Sequence, residues 1–254
     1  MRIPCQEDAG HLSKPFCFAS RLVLCLGLLV FLAMPAWAQQ KVRVGVYQNS
    51  PKVAMASDGK PEGIFIDVIE AIAQKEGWQL EYVPGTWAEG LSRLETGDID
   101  LMPDVANTVD REPLYAFHKE PVLASWNQVY TRHGAGVRTL LDLEGKTIAV
   151  LEGSVQQASF EQMASSYNLT AKLLPFPDFD AAFAAVAQGK ADAAVTNRFF
   201  GFRSAGKYGL EDTAIIFSPV KLYFAAPKTG HDALLAAIDK DLVEFKRDSG
   251  SPYF

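Results

Sequence analysis

The chain repeats one order of predicted elements, strand–helix–strand–helix–strand, in two separate stretches. In the first, alternating apolar and polar residues predict a strand over 41–47, and apolar residues at helical spacing predict a helix over 65–76. The second begins with a predicted strand over 146–151 and ends with one over 193–196. Alternating strands and helices with short connections favour parallel sheets that carry helices on both faces. The repeat therefore predicts an α/β chain with two lobes of similar design, and one continuous sheet is the alternative.

Local signals place helix starts within each stretch. Thr86 and Glu89 have the spacing of a capping box, and so do Ser154 and Gln157. After the first of these helices, a strand is predicted over 99–102. Ligands of such sheets bind beyond the carboxyl ends of the strands. Two lobes that face each other would therefore hold a ligand in the cleft between them.

Charge and motifs argue against several classes of protein. The 254 residues include 24 Lys+Arg and 30 Asp+Glu, a net charge of −6. Nucleic-acid binding needs clustered lysine and arginine, and the sequence contains no basic run. It has no nucleotide-binding glycine motif and no H-E-x-x-H motif. His118, His133 and His231 lack metal-ligand spacing. The sequence thus predicts no nucleic-acid partner, no metal and no cofactor.

The first 38 residues are typical of a secretory signal peptide. Lys14 and Arg21 precede an apolar run over 22–33, and Ala36 and Ala38 form an A-x-A cleavage site. An uncleaved anchor helix is the alternative. All three cysteines lie in this segment, so the mature chain would need no disulfide. We therefore expect a soluble periplasmic protein, secreted through a cleaved signal peptide.

Four stretches of sequence, taken in order, resemble the family 3 extracellular solute-binding proteins. The resemblance runs from Val42 to about Gly250. It rests on Val44–Val46 with Gly59–Asp67, on Trp87–Asp100, on Arg111 with Phe117, and on Asp142–Val150. It implies the type II periplasmic binding fold, in which the chain crosses twice between two lobes. Lobe one would be 41–125 plus 221–254, and lobe two 126–220.

A subset of that family forms the input domains of membrane sensors, and several segments resemble it. These segments are Met102–Ala106, Ser125–Tyr130, Asn197–Gly201 and Ser251–Phe254. Such proteins usually continue into a last helix and a membrane span. The resemblance therefore implies a sensor input domain, truncated or stand-alone. The substrate-binding component of an ABC transporter, which would dock on a permease, is the alternative.

The resemblance also implies which residues hold a ligand. Arg111 matches the family arginine that grips a ligand carboxylate, because a planar guanidinium offers parallel donors to two oxygens. The alternative is a surface arginine paired with Asp110 or Glu112. Trp87 stands where the family places an aromatic cover over the ligand.

The remaining ligand candidates keep their alternatives. Asp104 would receive an ammonium group or pair with Arg111. In amino-acid-binding relatives the position of Asn197 is an aspartate, so either Asp104 replaces it or the ligand is not an ordinary α-amino acid. Ser154 would assist an anion or only cap its helix. The other candidates are Tyr47 and Asn49 on the loop after the first strand, and Trp126, which would line the cleft or pack at the crossing.

An enzyme on the same fold is the competing hypothesis. Cyclohexadienyl dehydratases resemble this fold, and fold alone does not settle function. Asp104 or Glu152 could act as a general acid or base. No pair of residues in the sequence demands that role. We therefore predict a binding protein, not an enzyme, that captures a small carboxylate-bearing or amino-acid-like ligand by lobe closure.

Overall fold

The computed structural model describes residues 39–254. Residues 1–38, the predicted signal peptide, lie outside the described part of the chain. Within residues 39–254, no helix is long and apolar enough to cross a membrane.

The first part of the chain follows the predicted cycle, with a short hairpin added in its first loop. Its elements are β1 (Lys41–Val46), β2 (Ala54–Met55), β3 (Pro61–Glu62), α1 (Ile64–Glu76), β4 (Gln79–Pro84), α2 (Trp87–Thr96), β5 (Met102–Ala106) and β6 (Tyr115–Phe117). Strands β1 and β4 pair in parallel, and Val44 of β1 forms a bridge with Leu101. Helix α1 buries a stripe that includes Val68, Ile69 and Ile72, as its spacing predicts.

Two long strands then run side by side in opposite directions. They are β7 (Leu123–Arg132) and β11 (Leu210–Pro227). Their pairing shifts register between Phe217 and Val220, and Ser218 in that shift has a left-handed backbone, with φ of 48°. The two predicted lobe boundaries, after residue 125 and after residue 220, lie in these strands. The division into lobes that they imply stays a prediction.

The second cycle lies between those two strands in the sequence. Its elements are β8 (Thr147–Leu151), α3 (Val155–Ser166), β9 (Lys172–Phe176), α4 (Phe179–Ala187), β10 (Ala193–Asn197) and α5 (Arg198–Ser204). Strand β8 pairs in parallel with β9 and β10, and β10 pairs antiparallel with β7. The larger sheet therefore has the order β5-β11-β7-β10-β8-β9, and the fold is α/β as expected.

Helix α6 (Asp232–Arg247) is the last helix of the described residues and packs against the first cycle of elements. Its apolar face is buried: Leu234, Leu235, Ile238, Leu242 and Phe245. They belong to the larger hydrophobic cluster, which also contains β1, α1 and β5 residues. A second, smaller cluster lies around β8, β10 and α3.

The prediction of a strand over 99–102 is wrong in its position. The strand there is β5, which begins at Met102. The residues between α2 and β5 form hydrogen bonds with β1 instead. The N–H groups of Asp100 and Leu101 both donate to the Arg43 carbonyl.

Candidate ligand-binding site

A small closed cavity lies where the two cycles meet. Its volume is about 20 Å³, enough for one ordered water. Its walls come from the loop after β1, the start of α2, β5, the loop before β6, the two long strands and the starts of α3 and α4. The lining residues are Tyr47, Asn49, Lys52, Trp87, Asp104, Arg111, Ser125, Leu151, Ser154, Val155, Gln156, Phe179, Asn197, Val220 and Leu222.

Arg111 reaches the cavity from the turn that follows β5. Its Nη1 and Nη2 atoms donate long hydrogen bonds to the carbonyl oxygens of Ala106 (3.3 Å) and Gly153 (3.4 Å). Within residues 39–254, no carboxylate oxygen lies within 4.0 Å of its guanidinium, so the surface ion pair with Asp110 or Glu112 does not form. Burial lowers the pKa of Arg111, against the smaller opposing effects of Tyr115, Tyr47 and Asp104. The positively charged guanidinium of Arg111 therefore lines the cavity without a carboxylate partner among residues 39–254.

Trp87 forms the wall beside that cation. It is the first residue of α2, and the capping box of Thr86 and Glu89 fixes this helix start. Its ring lies 5.5 Å from the Arg111 guanidinium and 4.9 Å from the Tyr47 ring. Its Nε1 atom donates to the carbonyl of Gly153 at 3.3 Å. Trp87 therefore forms an aromatic wall of the cavity and also contacts Gly153 on its opposite side.

Asp104 is buried and fully engaged by protein donors. Its Oδ2 atom accepts hydrogen bonds from Tyr47 Oη (2.6 Å) and Asn49 Nδ2 (2.7 Å), and its Oδ1 atom lies 2.6 Å from Lys52 Nζ. Its backbone φ is 65°, a conformation that costs an L-residue about 1–2 kcal/mol. Burial raises the pKa of Tyr47, and the adjacent carboxylate raises it further. The sequence left open whether Asp104 pairs with Arg111. In the structure its ion-pair partner is Lys52.

Sequence reasoning missed Lys52. Its side chain is 2% exposed, so it is one of the largest fully buried side chains of the described chain. Burial lowers the pKa of Lys52, and the attraction of Asp104 opposes that effect. The only local signal is its position between Pro51 and Val53. That signal does not distinguish a buried lysine from an exposed one on a polar loop.

Asn197 and Ser154 begin helices at the edge of the cavity. Asn197 caps α5 through the N–H of Phe200, and its Nδ2 atom donates to Asn49 Oδ1 at 3.0 Å. Ser154 caps α3 by accepting from the N–H of Gln157. The second half of that predicted capping box is wrong, because the Gln157 side chain accepts from Gly153 instead. Both helix starts aim their positive dipole ends towards the cavity region.

Trp126 lies away from this cavity, contrary to its place among the predicted ligand residues. Side chains alternate along β7, and Ser125 takes the face that lines the cavity. Trp126 therefore points to the opposite face, where it lines a separate surface groove. The Arg198 guanidinium lies 4.3 Å from its ring centre. The other predicted ligand residues, Tyr47, Asn49, Trp87, Asp104, Arg111, Ser154 and Asn197, all line the cavity.

The fold and the cavity define a class of protein. Two α/β cycles joined by paired crossing strands enclose a charged cavity at strand ends and helix starts, the architecture of a cleft-binding protein for small solutes. The chain matches the family model of bacterial extracellular solute-binding proteins, family 3, over residues 42–250. The chain belongs to this family, whose members act outside the cytoplasm.

Known relatives and solved structures agree with that assignment. A probable amino-acid-binding protein of Bacillus subtilis, YxeM, is 27% identical over 212 residues, covering 82% of this chain and 79% of the relative. An ancestral arginine-binding protein bound to arginine superposes with a TM-score of 0.76 at 27% identity, covering 85% of this chain and 95% of the other. A histidine kinase sensor domain with similarity to periplasmic binding proteins has the same fold, with a TM-score of 0.73 at 21% identity over 83% of this chain and 91% of the other.

Proposed function

We propose that this protein captures a small carboxylate-bearing or amino-acid-like ligand outside the cytoplasm by closing two lobes around it. The observation that carries this proposal is the Arg111 guanidinium, which lines the cavity and has only two long bonds to carbonyls. A carboxylate that meets it would form two parallel charge-assisted hydrogen bonds. The names of the relatives, an amino-acid-binding and an arginine-binding protein, support a ligand of this chemistry.

Closure is supported by contacts between the two predicted lobes. Trp87 and Arg111 both donate to the carbonyl oxygen of Gly153, and Asn197 donates to Asn49. A cavity of about 20 Å³ is too small for a ligand of amino-acid size, so these contacts have to rearrange when one enters. A ligand then stabilises the closed form by binding it more tightly than the open form.

We propose that closure serves signalling, with transport as the alternative. The sequence segments that resemble sensor input domains support signalling, and the fold occurs in a histidine kinase sensor domain. In this role a membrane sensor reads the closed state, whereas in a transporter a permease does. Periplasmic location through a cleaved signal peptide is part of the same proposal.

The proposal is tested by a thermal-shift panel on the protein expressed from its full sequence. The panel contains amino acids, dicarboxylates, aromatic acids and deaminated or decarboxylated analogues. A ligand at about a hundred times its Kd stabilises the native state by about 2.7 kcal/mol. For a chain of this size that corresponds to a rise of about 5–10 °C in Tm.

Arg111→Ala is expected to abolish the shift. Arg138→Ala removes an exposed arginine that lies outside the cavity, and it should keep the full shift. A hit that survives Arg111→Ala unchanged would contradict the proposed role of the guanidinium. Recovery of the bound ligand after incubation tests the enzyme alternative. We expect it unchanged by mass spectrometry, and conversion to a dehydrated product would show catalysis.

A further inference from the structure

Lys52 is held in the cavity wall by the backbone around it. Its N–H donates to the carbonyl of Asn49 (2.9 Å), and its own carbonyl accepts from the N–H of Phe65 at the start of α1 (3.0 Å). Gly63 lies so close that a Cβ atom there would be 2.7 Å from the Lys52 carbonyl carbon and oxygen. Gly63 also has φ of 118°, which favours glycine. The position of the buried ammonium group is therefore set by the fold.

The ammonium group of Lys52 forms an ion pair with the single carboxylate that lines the cavity. Asp104 is the only carboxylate among the lining residues, and its two oxygens accept hydrogen bonds from Lys52, Tyr47 and Asn49. An ammonium-bearing ligand would have to compete for those oxygens with three donors already in place. Lys52 Nζ, in contrast, has three N–H donors and uses one on Asp104, so it can also donate to a ligand oxygen.

The charges of the lining residues leave one positive charge without a partner. Lys52 and Asp104 cancel, and the remaining charged residue of the wall is Arg111. Arg111 is half-buried, and a charge that is partly withdrawn from water is costly unless it is paired. A ligand with a single negative charge balances this wall, whereas a ligand ammonium group would approach two cations and find no available carboxylate.

We propose that the ligand of this cavity is a monocarboxylate without an α-ammonium group, and that Lys52 Nζ occupies the place on Asp104 that an amino acid's ammonium group would take. This inference rests on the proposed function, since it assumes that Arg111 binds a carboxylate. It narrows the ligand class from amino-acid-like compounds in general to their deaminated counterparts.

The test compares matched pairs of ligands by isothermal titration calorimetry on the protein expressed from its full sequence. Each pair shares a side chain and differs in the ammonium group: 3-phenylpropanoate with L-phenylalanine, 4-methylpentanoate with L-leucine, 5-guanidinopentanoate with L-arginine, and 5-amino-5-oxopentanoate with L-glutamine. We expect at least one deaminated acid to bind, and to bind at least about tenfold more tightly than its amino acid, a difference of about 1.4 kcal/mol. This comparison needs no variant and so does not depend on a variant's ability to fold.

A variant then tests the role of the lysine itself. Lys52→Met keeps most of the side-chain volume and leaves Asp104 without its cation, so the preference should reverse towards the amino acid of the pair. Lys60→Met removes an exposed lysine and should keep the original preference. Circular dichroism confirms that each variant is folded before it is titrated.

The outcomes separate this inference from the proposed function. If the wild-type protein binds an amino acid as tightly as its deaminated partner, or more tightly, this inference is overturned and carboxylate capture stands. If no member of any pair binds, both are overturned. If the deaminated acid is preferred by wild type and by Lys52→Met alike, the lysine does not set the ligand class, and the assignment of its role fails.

Discussion

At the scale of single residues, Asp104 is constrained by both its side-chain contacts and its backbone. It is buried, it accepts hydrogen bonds from three side chains, and its backbone has a positive φ. A conformation of this kind persists only where the surrounding contacts determine it. Here the contacts come from Tyr47, Asn49 and Lys52, all on the loop after β1. The cluster therefore fastens that loop to β5 and stabilises the fold independently of a ligand.

Tyr47→Phe is expected to lower the free energy of unfolding. The change removes a 2.6 Å hydrogen bond to a buried carboxylate and leaves the ring in place. Hydrogen bonds to charged groups contribute about 1.5–3 kcal/mol, so a loss of that size should appear in urea unfolding followed by circular dichroism.

Tyr82→Phe is the matched control. Its hydroxyl group donates to Glu70 at 3.0 Å near the surface, where water can replace the bond. Its removal should lower the unfolding free energy by less than about 1 kcal/mol. Equal losses in both variants would show that the Asp104 cluster contributes no more than an exposed hydrogen bond.

The sequence identified part of the cavity wall but missed its central ion pair. Arg111 and Trp87 could be found because they stand in recognisable segments of the family. The pairing of Lys52 with Asp104 joins residues that are 52 positions apart in the chain. No local pattern reports such a contact, since it depends on how the β1 loop folds over β5. The choice between the two alternatives for Trp126 could not be made from the sequence, because the register of β7, which decides the facing of each side chain, is set by pairing with β10 and β11.

At the scale of elements, Asp100 joins β1 to the connection between α2 and β5. Its carboxylate accepts from the Arg43 side chain at 2.7 and 3.0 Å and from the Arg43 N–H at 2.7 Å. His231, just before α6, contacts it at 3.3 Å. Burial alone would raise the pKa of Asp100, but its hydrogen bonds with Arg43 outweigh that effect and lower it.

That lowered pKa makes the stability of this junction depend on pH in the acid range. The stabilisation is complete above the unfolded-state pKa of about 3.9 and is lost as the pH falls through the lower folded-state value. We therefore expect Asp100→Asn to lower the unfolding free energy by about 1–3 kcal/mol at pH 6, and the gap to wild type to shrink below about pH 4.

Urea unfolding at a series of pH values measures this gap. Asp98→Asn, two residues earlier and exposed, serves as the control and should leave the curve near that of wild type. A gap for Asp100→Asn that stays constant from pH 6 to below pH 3 would contradict the electrostatic explanation.

The elements were predicted best where the signal lies within a few neighbouring residues. They were predicted worst where the pattern depends on pairing with a distant strand. The capping box of Thr86 and Glu89 was confirmed because all of its atoms lie within four residues. Strand β11 spans eighteen residues, Leu210–Pro227, and the repeat of predicted elements does not include it. Their alternation is irregular because the strand shifts register twice against β7. That irregularity follows from the partner strand and is invisible in the segment alone.

At the scale of the whole molecule, the paired strands β7 and β11 connect the first cycle of elements with the second. The predicted lobe one would contain both β1 and α6, so its segments would enclose lobe two in the sequence. The register shift at Ser218 lies within the paired strands near the predicted crossing. Rotation about this pair would open the cavity.

Small-angle X-ray scattering tests that motion. With a ligand from the thermal-shift panel, residues 39–254 should have a radius of gyration near 17 Å, as a compact chain of that length does. Without a ligand we expect a larger value, because the lobes separate. Arg111→Ala should keep the larger value when the ligand is added. An unchanged radius of gyration in the wild-type protein, with and without bound ligand, would refute closure driven by the ligand.

Two donors from one side of the cavity, Trp87 and Arg111, depend on the same carbonyl oxygen of Gly153 on the other. Both contacts have to break before a molecule can pass, and they break together if the backbone at Gly153 moves away. The rate of ligand exchange is then set by an opening step of the protein rather than by diffusion. The observed association rate would therefore level off at high ligand concentration. A ligand that binds the closed form more tightly would lengthen the dwell time of the bound state, and a partner protein that reads the closed form would have a longer interval in which to respond.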